Sequence, residues 1–326
     1  MSTPTTTIAG PAGTGRRSLL RGMSWVVWRR NRTALLLMLA VTAVFCALSL
    51  YERIGLMDFL DAQQGVKEAG GLPESPKSFI NNGTFAIGFL PIVIGVFLGA
   101  PLLAAEEESG TLRLTMTQST GRLRVIASTL AVPLLAVLLC TTLIAAAFTA
   151  LWSPARNVYM GGDWWVSGIV ATTGPMPVAL SLFSAAVGIT AGAFLRRSVP
   201  AMALTFVILA LGAIFMVQRV ANWLADPHLL SYPINSEQPP LKTGQVQIDR
   251  WFGTADGELF GYGNCALPTE KATEECYSRL GIINDVVGYL EYGQLGTIQW
   301  TMAAILLSAT AMLIAVTVWW TRRKSL

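Results

Sequence analysis

The sequence predicts an all-α polytopic membrane protein, with six transmembrane helices, an interfacial helix ahead of the first and an extracellular cap between the fifth and sixth. Two observations predict it. Of 326 residues, 53% are apolar and only 13% are charged, with a mean hydropathy of +0.53, whereas an ordinary soluble domain is about 25% charged. The apolar residues are also gathered into uncharged runs, and a bilayer-crossing helix needs roughly 20 such residues. Both observations argue against a water-soluble enzyme.

Residues 1–17 are polar and read as a disordered cytoplasmic tail. Gly10-Pro-Ala-Gly-Thr-Gly15 imitates a phosphate loop, but Arg16 and Arg17 occupy its Lys and Ser/Thr positions and no strand precedes it. Arg16-Arg17-Ser-Leu-Leu-Arg21 imitates a twin-arginine signal. A second basic cluster, Arg29-Arg30-Asn31-Arg32, separates it from the apolar run, and no small-residue cleavage site follows. In residues 18–33 Trp25, Val26, Val27 and Trp28 lie among Arg21, Arg29, Arg30 and Arg32. That pattern predicts an amphipathic helix in the inner interface, with Trp25 and Trp28 as anchors and Arg29 and Arg30 near lipid phosphate.

Six runs at 34–51, 84–105, 125–152, 177–195, 199–217 and 298–320 contain no Asp, Glu, Lys or Arg and are read as the spans. Pro91, Pro101 and Pro133 lie inside them as kinks, tolerated where neighbouring helices satisfy the freed backbone groups. With the N-terminus inside, the cytoplasmic segments carry 14 basic residues against the three acids Glu106, Glu107 and Glu108. The outer segments carry nine basic residues against 16 acids. Lys and Arg accumulate on the cytoplasmic side of a membrane, so both termini are expected in the cytoplasm of a multi-pass plasma-membrane protein. Membrane topology thus accounts for the basic pI, and no nucleic-acid partner is expected.

The domain plan that follows has five spans within 34–217, an extracellular region at 218–297, and a last span with a basic tail at 298–326. Residues 52–83 and 218–297 are long for simple connections, and the second is large enough for a small folded cap. Cys265 and Cys276 both fall in it, in an oxidising compartment, which predicts a disulfide. Cys46 and Cys140 fall inside spans and read as small buried apolar residues. His228 is the only histidine, and no metal-ligand spacing is present.

The spans offer no charged site for a coupling ion, and no nucleophile–base pair or G-x-S-x-G marks a hydrolase. If the chain moves something uphill, the energy must enter from a partner at a cytoplasmic segment. Residues 106–124 form the one internal cytoplasmic segment long enough to receive it. There Glu106, Glu107 and Glu108 abut the membrane, three adjacent acids expected to have cationic partners. Leu112, Leu114 and Met116 follow as an apolar knob.

At this segment the chain resembles the permease subunits of type-2 ATP-binding-cassette (ABC) exporters, particularly actinobacterial ones. The resemblance rests on Gly99-Ala-Pro-Leu-Leu-Ala-Ala-Glu106-Glu-Glu-Ser-Gly-Thr111-Leu-Arg113, then Thr117-Gln118-Ser119 and Arg122-Leu-Arg124. Ala105 stands where the family usually has Arg, and its Ser-Arg pair is spaced out as Ser119-Thr-Gly-Arg122. The resemblance implies half of a pore, completed by a second copy or a related permease and by two cytoplasmic ATPase subunits. This chain would hold no cofactor, with ATP and magnesium in the partner. Glu106, Glu107, Glu108, Gly110, Thr111 and Arg113 become coupling-interface residues. Spans two and five would line the path.

A second reading is a membrane sensor or immunity protein that binds a ligand through the cap at 218–297. Uncharged spans make a passive channel the less favoured third. Phe85, Phe89, Phe97 and Phe206 lie in spans and are candidates for contact with cargo, with ordinary packing the default reading.

Overall fold

The computed structural model describes residues 23–62, 72–108, 122–156, 164–165, 168–215, 217–234, 236 and 239–323. Helix α1 spans Met23–Ala62 and α2 spans Glu74–Val93. A π-helical segment, Ile94–Gly99, joins α2 to α3, Ala100–Glu108. Helix α4 is Arg122–Ala155, α5 the short Ile169–Thr172, α6 Met176–Leu195, α7 Ser198–Phe215 and α8 Val217–Leu224. Then follow β1 His228–Pro233, β2 Gln245–Thr254, β3 Leu259–Gly261, α9 Glu270–Leu280, β4 Ile282–Glu291 and α10 Tyr292–Arg323.

Among the described residues, five helices are long and apolar enough to cross a membrane, within α1, α2–α3, α4, α6 and α10. Ser198–Gly212 in α7 is apolar but shorter. The helices outrun the apolar runs that announce them. Helix α1 continues to Ala62 through Glu52, Arg53, Asp58 and Asp61, and α2 begins at Glu74. Much of the expected outer segment 52–83 is therefore helical extension. Polar residues end a hydropathy window without ending a helix, because the backbone ladder continues into water. Arg53 secures one extension by donating to the carbonyl of Ala150 in α4.

Helix α6 is the centre of the bundle, packing against α2, the π segment, α3, α4, α7 and α10. Pro91 and Pro101 bracket the π segment. Proline removes a donor and crowds the carbonyl four residues earlier, which favours a local change of helix pitch. The widened turn brings Gly95 and Gly99 against α6. A Cβ on Gly188 would lie 2.2 Å from the Gly95 carbonyl oxygen, and one on Gly192 would lie 2.3 Å from that of Ala100. Gly95-x-x-x-Gly99 faces Gly188-x-x-x-Gly192, the small-residue pattern that lets two helix backbones touch in a membrane.

A four-stranded antiparallel sheet, ordered β1-β4-β2-β3, occupies 228–291. The chain is mostly helical, as expected, but the cap region is mixed rather than all-α. Val246 and Leu290 pair across β2 and β4 and enter the main core with Phe148, Trp152, Trp164 and Met176. A register shift between Gln247 and Asp249 inserts Ile248 as an extra residue, so Arg250 and Phe252 face away from Val246. Their side of the sheet packs with α9 around Phe252, Cys265, Cys276 and Ile282. Helix α9 starts at the N-cap Thr269 and stops at Gly281, whose φ of +64° suits a residue without Cβ. Strand β4 runs into α10 without an intervening loop.

Candidate coupling segment and translocation face

Residues 109–121 lie outside the described residues, and with them Gly110, Thr111 and Arg113. Glu106 and Glu107 belong to the last turn of α3, with side chains outside the description. Glu108 is the residue whose contacts are defined. Its Oε2 accepts from the Ser198 backbone N–H at 3.2 Å and from the Ser198 hydroxyl at 2.8 Å. Ser198 is the first residue of α7, where backbone N–H groups lack intrahelical acceptors. The carboxylate therefore caps α7 from another helix. The Ser198 hydroxyl and then its N–H hold the Glu108 pKa below the ordinary glutamate value, with Arg197 assisting. The acidic triad was expected to meet cations. Among the described residues, the direct partner of Glu108 is a helix N-terminus, with Arg197 a secondary influence.

Sequence brings this about locally. Helices α6 and α7 are separated only by Arg196 and Arg197, and Arg196 turns the chain with φ +55°. Below Glu108, Ala100 and Ala104 pack with Ala201 and Met202 of α7. With the glycine contacts to α6, these small residues set α3 against both helices of the hairpin. The two glycine pairs were missed by sequence reasoning, although G-x-x-x-G inside apolar runs was their signal. The same end of the bundle holds a Phe194–Trp320 ring contact, centroids 4.7 Å apart, and the Arg323 guanidinium 4.3 Å from the Trp319 ring centre. Trp25, Trp28, Arg29 and Arg30 lie on the first turns of α1, which continues without a break into the first span. Their side chains are outside the description, as are residues 1–22.

Phe85 and Phe97 are 75% and 66% exposed, and Phe89 and Phe206 are also exposed. None of the four is enclosed by the rest of the described chain. Phe85, Phe89 and Phe97 recur every four or eight residues, which places them along one side of span two. Phe85 and Phe89 stack with planes 3° apart. The π segment and α3 pack against α7, which carries the exposed Phe206 and Leu211.

At the opposite end, Trp164 donates to the carbonyl of Gly244, and the Arg156 guanidinium lies over the Tyr292 ring at 4.6 Å. Gln299 of α10 donates to the carbonyls of Val170 and Thr173 at 3.0 and 3.1 Å, satisfying the end of α5. Cys265 and Cys276 are joined by a disulfide, with Cα atoms 5.8 Å apart. Beside it Arg250 pairs with the buried carboxylate of Asp285 at 2.5 Å and lies 4.5 Å above the Tyr262 ring. Burial and the neighbouring Asp285 charge push the Tyr232 hydroxyl above its ordinary pKa. Among the described residues, no group of three or more His, Cys, Asp or Glu is placed to hold a metal.

The family model described as ABC-2 membrane transporter related matches residues 39–221, more than half of the chain. The match runs from within α1 to within α8 and stops short of the sheet. No curated protein and no solved structure matches the chain.

Proposed function

Because the chain belongs to the ABC-2 membrane transporter related family, we propose that this permease is the membrane subunit of an ATP-driven exporter. It works with a second permease, either another copy or a related chain, and with two ATPase subunits on the cytoplasmic side. The observation that carries the reading is the family match across α1 to α8, which includes the acidic end of α3. The chain crosses the membrane six times in this reading, α7 being the fifth pass. Both termini are cytoplasmic, and the sheet stands outside.

Coupling enters at the segment after span two. Glu106, Glu107, Gly110, Thr111 and Arg113 form the face offered to the ATPase, while Glu108 is turned towards Ser198. ATP and magnesium are held by the partner, which supplies phosphoryl-transfer energy. This chain converts the partner's movement into movement of its helices. The exposed aromatic residues of span two, a helix that packs on span five, face the other permease and border the path in this reading. A path bordered by Phe and Leu suits an amphiphilic cargo better than an inorganic ion.

The test is co-expression with the ATPase subunits encoded beside this chain, followed by purification in detergent. A stable complex whose ATPase rate falls in Glu106→Ala with Glu107→Ala supports the reading. A chain that purifies without an ATPase, or a double variant with unchanged hydrolysis and transport, sinks it.

A further inference from the structure

The end of span two is tied to the start of span five by two contacts that lie close together, and to span four by a third. Glu108 takes both the N–H and the hydroxyl of Ser198. One turn and two turns earlier, Ala104 and Ala100 meet Ala201. On the other side of α3, a Cβ on Gly192 would come within 2.3 Å of the Ala100 oxygen and 3.5 Å of the Ala104 Cβ. Helix backbones at such separations cannot slide without steric overlap, because packed interiors have discrete arrangements. Glu108 is also the last described residue before 109–121, the segment to which the exporter reading assigns ATPase docking.

We infer that Glu108 is a positioning residue that transmits displacement of the docking segment to span five by capping α7 through Ser198. The inference rests on the exporter reading. It adds a route: span five is driven from the end of span two directly, without passing through α4, the helix that leaves the docking segment. A carboxylate at a helix N-terminus suits this task for two reasons. It satisfies a donor that has no other acceptor, and the helix dipole favours its negative charge. A glutamate is ionised at neutral pH without any shift, and the Ser198 hydrogen bonds lower its pKa further. The Ser198 hydroxyl supplies the second hydrogen bond, so the carboxylate holds one residue by two donors.

The inference predicts that the docking segment and α7 move together during the ATP cycle, and that they uncouple when the acceptor at 108 is removed. Glutamine retains an acceptor oxygen for the Ser198 N–H, whereas alanine retains none. Conservative replacement should therefore preserve the link that truncation breaks.

Two measurements on the full complex test it. First, Ala104→Cys with Met202→Cys, which probes the same α3–α7 packing and leaves Glu108 and Ser198 in place, is treated with a short bifunctional methanethiosulfonate, and the linked peptides are identified by mass spectrometry. Linkage is expected both without nucleotide and in the vanadate-trapped state. No linkage, or linkage lost on trapping, overturns the inference and leaves the exporter reading standing. Second, maleimide labelling at Phe206→Cys is compared between the two states. The nucleotide-dependent difference should be present in the Phe206→Cys parent, lost with Glu108→Ala, and retained with Glu108→Gln. Co-purification of the ATPase with all three confirms that each is assembled. A difference that persists in Glu108→Ala overturns the link alone. A parent that shows no difference, or binds no ATPase, overturns the exporter reading and the link with it.

Discussion

Trp164 donates its indole N–H to the carbonyl of Gly244 at 3.3 Å, across 80 residues of sequence. The same carbonyl accepts from the backbone N–H of Tyr292 at 3.1 Å, where β4 becomes α10. Trp164 is fully buried and meets both Trp165 and Tyr292 edge to face. One side chain thus fastens the sheet to the helical bundle. Trp164→Ala should cost about 3–5 kcal/mol, the range for truncating a buried aromatic. Trp164→Phe keeps most of the ring and should lose about 1 kcal/mol for the hydrogen bond. Thermal melts in detergent should rank wild type above Phe and Phe above Ala. Faster proteolysis within 228–291 in the alanine variant would locate the loss at the junction.

The glycine pairs make a sharper steric prediction. Gly188→Ala would put a Cβ 2.2 Å from the Gly95 oxygen and 2.7 Å from the Ala100 nitrogen. Both are backbone atoms, so relief requires the helices to separate. Overpacking of this kind costs about 1–3 kcal/mol. Gly88→Ala in α2 meets nothing within 4 Å, and alanine is the better helix former by roughly 0.5–1 kcal/mol. The pair should therefore move melting temperature in opposite directions. Equal behaviour would show that α6 and the π segment are not in backbone contact.

The membrane part was legible because burial in lipid demands long uncharged runs, and these survive any detail of packing. Helix ends were less so. Glu52 and Arg53 stop an apolar run, yet α1 passes through them and Arg53 finds the Ala150 carbonyl. The sheet escaped for a different reason. Val246, Ile248, Arg250 and Phe252 alternate along the strand, which reads as one face, but the extra residue at Ile248 moves Arg250 and Phe252 to the other. A bulge is invisible to a period-two pattern. The partner of Glu108 was illegible because capping by Ser198 depends on where two helices cross, which spacing along the chain does not encode.

The disulfide closes a short loop, with Cys265 and Cys276 separated by 11 residues. A loop of that size gives roughly 3 kcal/mol by restricting the unfolded chain. Both sulfurs sit in the cluster with Phe252 and Ile282. Cys265→Ser should therefore destabilise the 228–291 region by about that amount, and dithiothreitol should reproduce the effect on wild type but not on the variant. Hydrogen exchange of α9, read by mass spectrometry, would show the loss directly, while α6 should exchange as before.

Asp285 is buried at 2% side-chain exposure, whereas its partner Arg250 is one-third exposed. Removing one member of such a pair strands the other's charge. Asp285→Ala should cost less than the roughly 3–5 kcal/mol of breaking a fully buried ion pair, because the Arg250 it strands keeps partial access to water. Arg250→Met combined with Asp285→Leu leaves no charge to strand and should recover most of that loss. A double variant no more stable than Asp285→Ala would mean that the surrounding ring contacts with Tyr262, rather than charge pairing, hold this side of the sheet together.

The aromatic side of span two separates a lipid-facing helix from one that faces another permease. Phe97 on the π segment and Leu37 on α1 are equally exposed in the single chain, at 66% each. Exposure alone therefore cannot distinguish them. Phe97 lies on the π segment, which packs against α7, while Leu37 lies on a helix whose main neighbour is α4. If two permeases meet along spans two and five, Phe97→Cys should give an oxidant-dependent dimer on a non-reducing gel, and Leu37→Cys should remain monomeric at the same protein-to-lipid ratio. Dilution into excess lipid should leave the Phe97→Cys product unchanged, because a formed interface does not depend on chance collisions. Dimer from Leu37→Cys alone would move the interface to α1 and remove the aromatic stripe from the path.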